Sequence, residues 1–311
     1  MKLLIKLFLL SAIVLIDQTA LPAQEQQPAS LDELVERGEQ AGIPRDRMDQ
    51  IIARGEDRQI APEEISGLLE LAVDLAEDNL PYDMILQKSM EGLAKRVPGA
   101  QIQQVATNLK EGIGRSAEMV DPWLEQESVS SAIEQQFRDR QQGRAQVREN
   151  LVRGSAQAIQ QNVSEEVISA LLDDVSRLAQ DRSVSLPALA AGLHVLPDIP
   201  TTERDPDLSR EIVSRAVTLD FTSQQVQQLP TAMRSAQIFG QLPAEAVGRG
   251  VAQQMDRGLT GRQIMENLFR GNVGGGPPDF IPPGLDDIPR PGEGERRGPP
   301  DDPPRGPPNG G

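Results

Sequence analysis

The sequence contains no cysteine. This absence excludes disulfide bonds, thiol nucleophiles, zinc-thiolate sites, iron–sulfur clusters and covalent haem attachment. Histidine occurs once, so any mechanism with a histidine base or ligand would have to use His194. Aromatic residues make up only 3% of the chain, with one Trp and one Tyr, and a core must therefore be built from aliphatic side chains.

Positive charge is also scarce. Lys and Arg number 31 against 47 Asp and Glu, and the net charge is -16. Such a surface repels nucleic acid and anionic lipid at long range, so we expect no nucleic-acid partner. Good helix formers are plentiful, namely Ala, Leu, Gln, Glu and Arg, whereas the aromatic residues that sheets favour are few. The composition predicts an all-α fold.

A long apolar run occurs at the N-terminus. It spans residues 7–16, follows Lys2 and Lys6, and precedes small residues that end at Ala23. This order is typical of a secretory signal peptide, which we place at residues 1–23. The run is about half the length of a bilayer-spanning helix, so we expect no stable membrane span after cleavage. The predicted location is the bacterial periplasm or the outside of the cell.

Helix starts are marked by a recurring pattern. After a polar spacer at 24–29, Ser30 and Glu33 have the spacing of a capping box. Further on, an apolar residue is followed by a second one five positions later, usually with Pro, Ser or Thr directly after the first. Five positions separate the two residues of a hydrophobic staple, so each pair predicts a helix start, with any Pro in the first turn. The pairs are Ile43 with Met48, Ile60 with Ile65, Leu80 with Ile85, Val97 with Ile102, Val163 with Ile168, Val184 with Leu189, Phe221 with Val226, Leu242 with Val247 and Leu259 with Ile264.

The spacing of these starts predicts a repeat. Ile43 and Leu80 lie 37 residues apart, as do Ile60 and Val97. A period of about 37 residues indicates tandem two-helix repeats, stacked into an α-solenoid-like or compact helical array. The repeat lacks the Trp-Leu-Gly-Tyr pattern of tetratricopeptide units and the Thr-Pro-Leu-His pattern of ankyrin units.

Changes in composition predict the domain organisation. Two blocks of helical repeats, at 30–120 and 147–271, flank a Gln- and Arg-rich stretch at 121–146, which we interpret as a polar connecting helix or helices. The Pro- and Gly-rich tail at 272–311 cannot bury enough apolar surface to offset its ordering entropy, and we predict that it is disordered. A PxxP-type ligand in this tail is an alternative to a solvated linker.

The loop after His194 has the best residues for catalysis or metal binding. Its acids are Asp198, Glu203, Asp205 and Asp207. A metal site or a Ser-His-Asp arrangement is conceivable there. We favour a structural explanation of the same residues. In it, His194 lies at a helix end, and Asp and Thr residues of the following loop cap the next helix.

Other motifs also have a structural explanation. The acid pairs could serve as glycosidase carboxylates, but helix capping accounts for two of the three. The GxGxxA spacing at 112–117 lacks the preceding strand of a dinucleotide loop. Trp123 could anchor a partner, although a buried brace between helices fits it better. The acid pairs are Glu63-Glu64, Glu165-Glu166 and Asp173-Asp174, and Asn162-Val163-Ser164 is a glycosylation sequon or simply a helix cap at Ser164.

Together, these features predict a non-enzymatic function. We expect an exported, non-enzymatic interaction or scaffold protein of the cell envelope, which binds a protein or envelope partner through a helix-lined face. No catalytic residue, cofactor or metal site is predicted. One alternative is a hydrolase or lyase that depends on carboxylates or His194, with a cleft between the two blocks. A second is a periplasmic chaperone-like or regulatory factor.

The signal peptide yields the first testable prediction. When the full chain is expressed in a bacterial host that exports it, the mature protein should begin at Gln24, because small residues end at Ala23. Intact-mass measurement of the exported protein would show this, and cleavage after Ala20 is the second expectation. Retention of Met1 to Ala23 on the exported protein would contradict the prediction.

Overall fold

The computed structural model describes residues 30–274, except 138, 181, 182, 202 and 220. These residues form thirteen α-helices and a single 3-10 turn, with no strand in the part described. The predicted all-α class is therefore confirmed. The predicted signal peptide, the polar spacer at 24–29 and the tail beyond residue 274 lie outside the described residues.

The helices form two layers. In the first layer the odd-numbered helices follow one another from α1 to α13, each packed against the next. In the second layer α2 packs on α4, α6 on α8, α8 on α10, and α10 on α12. Aliphatic side chains fill the core between them. The helices are α1 Leu31–Gln40, α2 Arg45–Asp57, α3 Pro62–Glu77, α4 Asp83–Ala94, α5 Gly99–Leu124, α6 Glu127–Gln136, α7 Arg140–Gln160, α8 Glu165–Leu178, α9 Leu186–Val195, α10 Pro206–Thr218, α11 Ser223–Gly240, α12 Ala244–Asp256 and α13 Gly261–Phe269, with a 3-10 helix at Leu196–Asp198.

A single apolar residue connects one helix to the next in many of the short links between helices. Between α4 and α5, Arg96 takes the left-handed conformation at φ 59°, and the amide of Val97 donates to the carbonyl of Gly92 at 3.0 Å. This is the Schellman ending of a helix. Pro98 is then the N-cap of α5, and Ile102 lies five positions after Val97. Val97 thus ends one helix and provides the first member of the staple of the next.

The same link recurs along the chain, which explains why the staple pattern predicts helix starts. All nine predicted starts coincide with helices, and in eight of them the N-cap directly follows the apolar residue. The capping box at Ser30 is also present, with both of its hydrogen bonds. Seven residues in the left-handed conformation directly precede the apolar residue of a link, and an eighth, Gly271, follows α13. The seven are Gly42, Gln59, Asn79, Arg96, Asn162, Gln241 and Gly258. The repeat length of about 37 residues stays a prediction.

Glycine lets the helices of several links approach closely. A β-carbon on Gly55 would lie 2.5 Å from Cδ1 of Ile65, and one on Gly92 would lie 2.7 Å from Cγ1 of Ile102. In both cases the glycine is the residue whose carbonyl accepts the Schellman hydrogen bond. The second staple residue therefore packs on the bare backbone of the preceding helix, where a larger side chain would displace it.

Two details of the predicted helix starts were wrong. The prolines were expected in the first turn, where Pro62 of α3 does lie, but Pro44, Pro98 and Pro243 are N-caps with extended ψ values of 128°, 140° and 155°. A proline fits there because its fixed φ is also that of an extended N-cap residue, and an N-cap needs no amide donor. Helix α4 also starts one residue later than the pattern predicts, with Tyr82 as its N-cap.

Long helices run across the predicted block limits. Residues 120 and 147 lie inside α5 and α7, which pack directly against each other. Arg148 of α7 holds Asp121 of α5 at 2.6 Å and donates to the carbonyl of Asn79 at 2.8 Å. The described residues of the connecting segment are thus integrated into the stack, while the division into two blocks stays a prediction of domain organisation.

The first residues of the predicted tail belong to the packed structure. Val273 is buried, and its carbonyl accepts a hydrogen bond from Nε2 of Gln254 at 3.0 Å. The buried amide of Gln254 also donates to the carbonyl of Asn272 at 3.3 Å. Residues 272 and 273 are therefore anchored on α12, because their carbonyls satisfy a buried side-chain donor.

A pair of glycine substitutions tests the close approach of linked helices. Gly92→Ala should lower the free energy of unfolding by about 1–2 kcal/mol, because the new methyl group overlaps Ile102. Gly114→Ala on α5 is the control, because its β-carbon would meet nothing within 4 Å. It should raise the free energy of unfolding by about 0.5–1 kcal/mol, because alanine favours a helix more than glycine does. Chemical denaturation followed by circular dichroism measures both. Equal shifts of the two variants would contradict the packing.

Candidate functional site

A groove opens on the second layer between α4 and the end of α7. We call it the α4/α7 groove. It has a volume of about 790 Å³. Its wall residues come from two turns of α4, its floor from α5, and its far side from the last turn of α7 and the residue after it. The lining residues are Met84, Gln87, Lys88, Glu91, Val105, Asn108, Leu109, Glu111, Gly112, Arg115, Gln157, Ile159, Gln160 and Gln161.

The length of α5 explains why this groove exists. Helix α5 has 26 residues, and α4 has only 12. Helix α4 packs along the first half of α5, whereas α8 is fastened to its second half: Arg115 pairs with Glu165 at 2.8 Å, and Trp123 donates to the carbonyl of Leu172 at 2.8 Å. The middle of α5 is left between these two second-layer helices and forms the floor of the groove.

The lining combines apolar side chains with neutral amides. Met84, Val105, Leu109 and Ile159 provide the apolar part, and Val105 is 41% exposed although it is large and aliphatic. Five Gln and Asn side chains add groups that can both donate and accept hydrogen bonds. The four charged residues are two of each sign, so the groove is close to neutral in a molecule with a net charge of -16.

The pKa of Glu91, a carboxylate on the groove wall, lies well below its ordinary value. Hydrogen bonds from Lys95 and Lys88 lower the pKa of Glu91 from 4.5 to about 2. The side chain is therefore ionised at neutral pH. A general acid must carry a proton at the working pH, so Glu91 is unsuited to that role.

The residues around His194 do not form a common site in the described structure. His194 is exposed in the last turn of α9. Asp205 is the N-cap of α10 and accepts from the amide of Leu208 at 3.0 Å, which confirms its predicted capping role. Asp198 lies 3.6 Å from Arg234, and Asp207 lies 3.3 Å from Arg210. In residues 30–274, apart from the undescribed positions, no group of three or more His, Asp or Glu side chains is arranged to hold a metal ion.

The predicted acid pairs occupy structural positions. Glu63 and Glu64 lie in the first turn of α3, and Glu165 and Glu166 lie in the first turn of α8. Negative charge there complements the helix dipole, so the capping interpretation is confirmed. The pKa of Glu166 is lowered by a hydrogen bond from its own backbone amide and by the Ser164 hydroxyl. The third pair lies further along α8, where Asp174 pairs with Arg177 and Arg210.

The remaining motifs also have structural roles. Residues 112–117 lie inside α5, and the hydroxyl of Ser116 donates to the carbonyl of Gly112 at 2.8 Å, so they form no phosphate-binding loop. Trp123 is 3% exposed and joins α5 to α8 through its indole N–H, which confirms the predicted brace. Ser164 is the N-cap of α8, as predicted, and Asn162 takes the left-handed conformation before it.

Comparison of the chain with protein-family models, with characterised proteins and with solved structures gave no match. Among the described helices, none combines the length and apolar character that crossing a bilayer requires. The geometry of the surface is therefore what points to a function.

Sequence reasoning missed the α4/α7 groove, although one signal was present. The buried stripe of α5 runs through Ile102, Ala106, Leu109 and Ile113, at helical spacing. Val105 lies about 70° from the centre of this stripe, at its edge. An aliphatic residue at the edge of the stripe indicates a second apolar contact, but the pattern alone did not reveal whether that contact is internal.

The titration of Glu91 gives a test of the groove electrostatics. Because its folded pKa of about 2 lies below the ordinary 4.5, the ionised carboxylate contributes stability above pH 4.5, and this contribution is lost as the pH falls towards 2. The difference in unfolding free energy between the protein and its Glu91→Gln variant should shrink over that range. Denaturation at several pH values measures it, and added salt should reduce it.

The control for this test removes the lysines. In the Lys88→Gln/Lys95→Gln variant the pKa of Glu91, followed by NMR of its carboxyl carbon, should return towards 4.5, because both hydrogen-bond donors are gone. A Glu91 that titrates near 4.5 in the unaltered protein would contradict the described contacts.

Proposed function

We propose that this chain is an exported, non-enzymatic helical-repeat interaction or scaffold protein of the cell envelope, and that it binds a protein partner through the α4/α7 groove. The exposed apolar floor at Val105, between two second-layer helices, is the observation that carries the proposal. The signal-like N-terminal sequence supports the export.

The dimensions of the groove suit a short helical segment. Its α5 floor extends from Val105 to Arg115, which corresponds to about 15 Å at the rise of an α-helix. Second-layer helices already pack on first-layer helices elsewhere in the fold. An amphipathic helix of the partner would continue that pattern, with its apolar side chains on Val105 and Ile159 and its polar side towards the glutamines.

The chemistry of the lining favours a protein over a charged ligand. Amide side chains at Gln87, Asn108 and Gln157 can satisfy polar groups of either kind on a peptide. The opposite charges of Lys88 and Glu91 already pair with each other at 3.1 Å. The net charge of -16 attracts a basic partner and repels an acidic one at long range.

The hydrolase or lyase alternative has weaker support. Its cleft between the two predicted blocks corresponds to this groove, whose wall carboxylate Glu91 is ionised and held by two lysines. Asp205 caps a helix, and Asp174 is engaged by arginines. Helix capping and ion pairing account for these acids without catalysis. The interaction function is therefore better supported than the hydrolase or lyase.

A charge substitution on the groove floor tests the proposal. Val105→Glu should reduce the amount of partner recovered with the protein from its native envelope by at least about tenfold, because it would bury an unpaired carboxylate in the interface. The stability should change by less than about 0.5 kcal/mol, since Val105 is an exposed residue. Quantitative mass spectrometry after cross-linking measures the recovery.

The matched control is Gln101→Glu. Gln101 is exposed on α5, three residues before Gln104, and does not line the groove. This variant adds the same charge to the same helix and should recover the partner as the unaltered protein does. If the two variants recover the same proteins in equal amounts, the groove is not the binding surface.

A further inference from the structure

Exposed apolar side chains concentrate at one end of the described structure. Among the described residues, five large hydrophobic ones are exposed, and four of these lie in or beside the last turns of α11 and α13. We call these four the C-terminal patch: Ile238 at 75%, Phe239 at 65%, Leu242 at 39% and Phe269 at 44% exposure. Such a concentration on a chain with 3% aromatic residues indicates a contact surface.

The turn after α13 brings the two helix ends together. A β-carbon on Gly271 would lie 2.8 Å from Cβ of Phe239. Gly271 takes φ 76°, a conformation that strongly favours glycine, and it follows Phe269 by two residues. On the other side of this turn, Leu242 belongs to a cavity of about 560 Å³ that also includes Leu208, Val273 and the exposed Arg249.

The described chain ends beside this surface. Val273 and Gly274 line the cavity that Leu242 shares. The hydrogen bonds from Gln254 to residues 272 and 273 hold the exit point on α12. The following residues therefore start from a position next to the C-terminal patch, whatever course they take afterwards.

The sequence beyond residue 274 carries one apolar cluster. It consists of Phe280, Ile281, Leu285 and Ile288, and no aliphatic or aromatic residue follows Ile288 to the end of the chain. Five residues lie between Gly274 and Phe280, which can therefore be up to about 20 Å apart when the chain is extended. A tether of this length gives an effective concentration on the order of millimolar, so that even a weak contact would be populated.

We propose that residues 280–288 dock on the C-terminal patch of the same chain. The apolar cluster would cover Phe239, Leu242 and Phe269, and Asp286 and Asp287 would face the basic residues at the margin, Arg249 and Arg270. The patch is distinct from the α4/α7 groove, so this proposal does not depend on the proposed function. The tail beyond residue 288 would then leave the array from a fixed point.

Amide hydrogen exchange of the full chain tests the docking. In the Leu285→Asp/Ile288→Asp variant, the amides of residues 238–242 and 269–271 should exchange about tenfold faster than in the unaltered chain, as expected if the docked state is about 90% populated. The control is Gly292→Asp/Gly294→Asp, which adds the same charge to the tail and removes no apolar residue. This control should exchange like the unaltered chain.

Three outcomes would overturn the proposal. One is equal exchange in all three chains, and another is an equal effect of the control variant. The third is protection that rises with protein concentration, because a second copy would then cover the patch. The absence of native cysteine permits a further check: Arg270→Cys/Gly284→Cys should form an intramolecular disulfide readily, and Gln101→Cys/Gly284→Cys should not.

Discussion

Much of this structure depends on single apolar residues between successive helices, each of which ends one helix and starts the next. Val97 illustrates this: its amide closes the end of α4 on Gly92, and its position relative to Ile102 is that of a hydrophobic staple on α5. A link that satisfies the backbone at both of its ends leaves little freedom in the angle between the helices. Repetition of such a link turns a chain of short amphipathic helices into a layered stack.

The α4/α7 groove lies where the stack contains the long helix α5. Helix α5 is long enough to carry α4 on one half and α8 on the other, and its middle remains accessible as the floor of the α4/α7 groove. Ion pairs such as that of Arg115 with Glu165 hold the edges of this opening. Most of these pairs are partly exposed and contribute little to stability individually, so their main effect is on orientation.

The helix starts could be predicted from sequence because their signals are local. A staple or a capping box involves residues within five positions of one another, and nine predicted starts and the capping box at Ser30 coincide with helices. The left-handed residues were not recognised, because only three of the eight are glycine. Arg96 is an example, because its left-handed backbone conformation closes α4 although its side chain is long and charged.

The candidate surfaces could not be predicted in the same way. The exposure of Val105 depends on how far apart α4 and α8 lie, and the C-terminal patch depends on the turn at Gly271 meeting Phe239. Gly271 and Phe239 lie about 30 positions apart in the sequence, although they meet in the structure. No local pattern records such a distance.

The sequence by itself therefore determined the helical class, the positions at which helices begin, and the capping role of Asp205. These follow from hydrogen bonding and apolar spacing within a few residues. The tertiary structure decided which apolar side chains remain exposed and where the grooves lie. The physical reason is that burial is a property of neighbours from distant parts of the chain, and these meet only when the layers have packed.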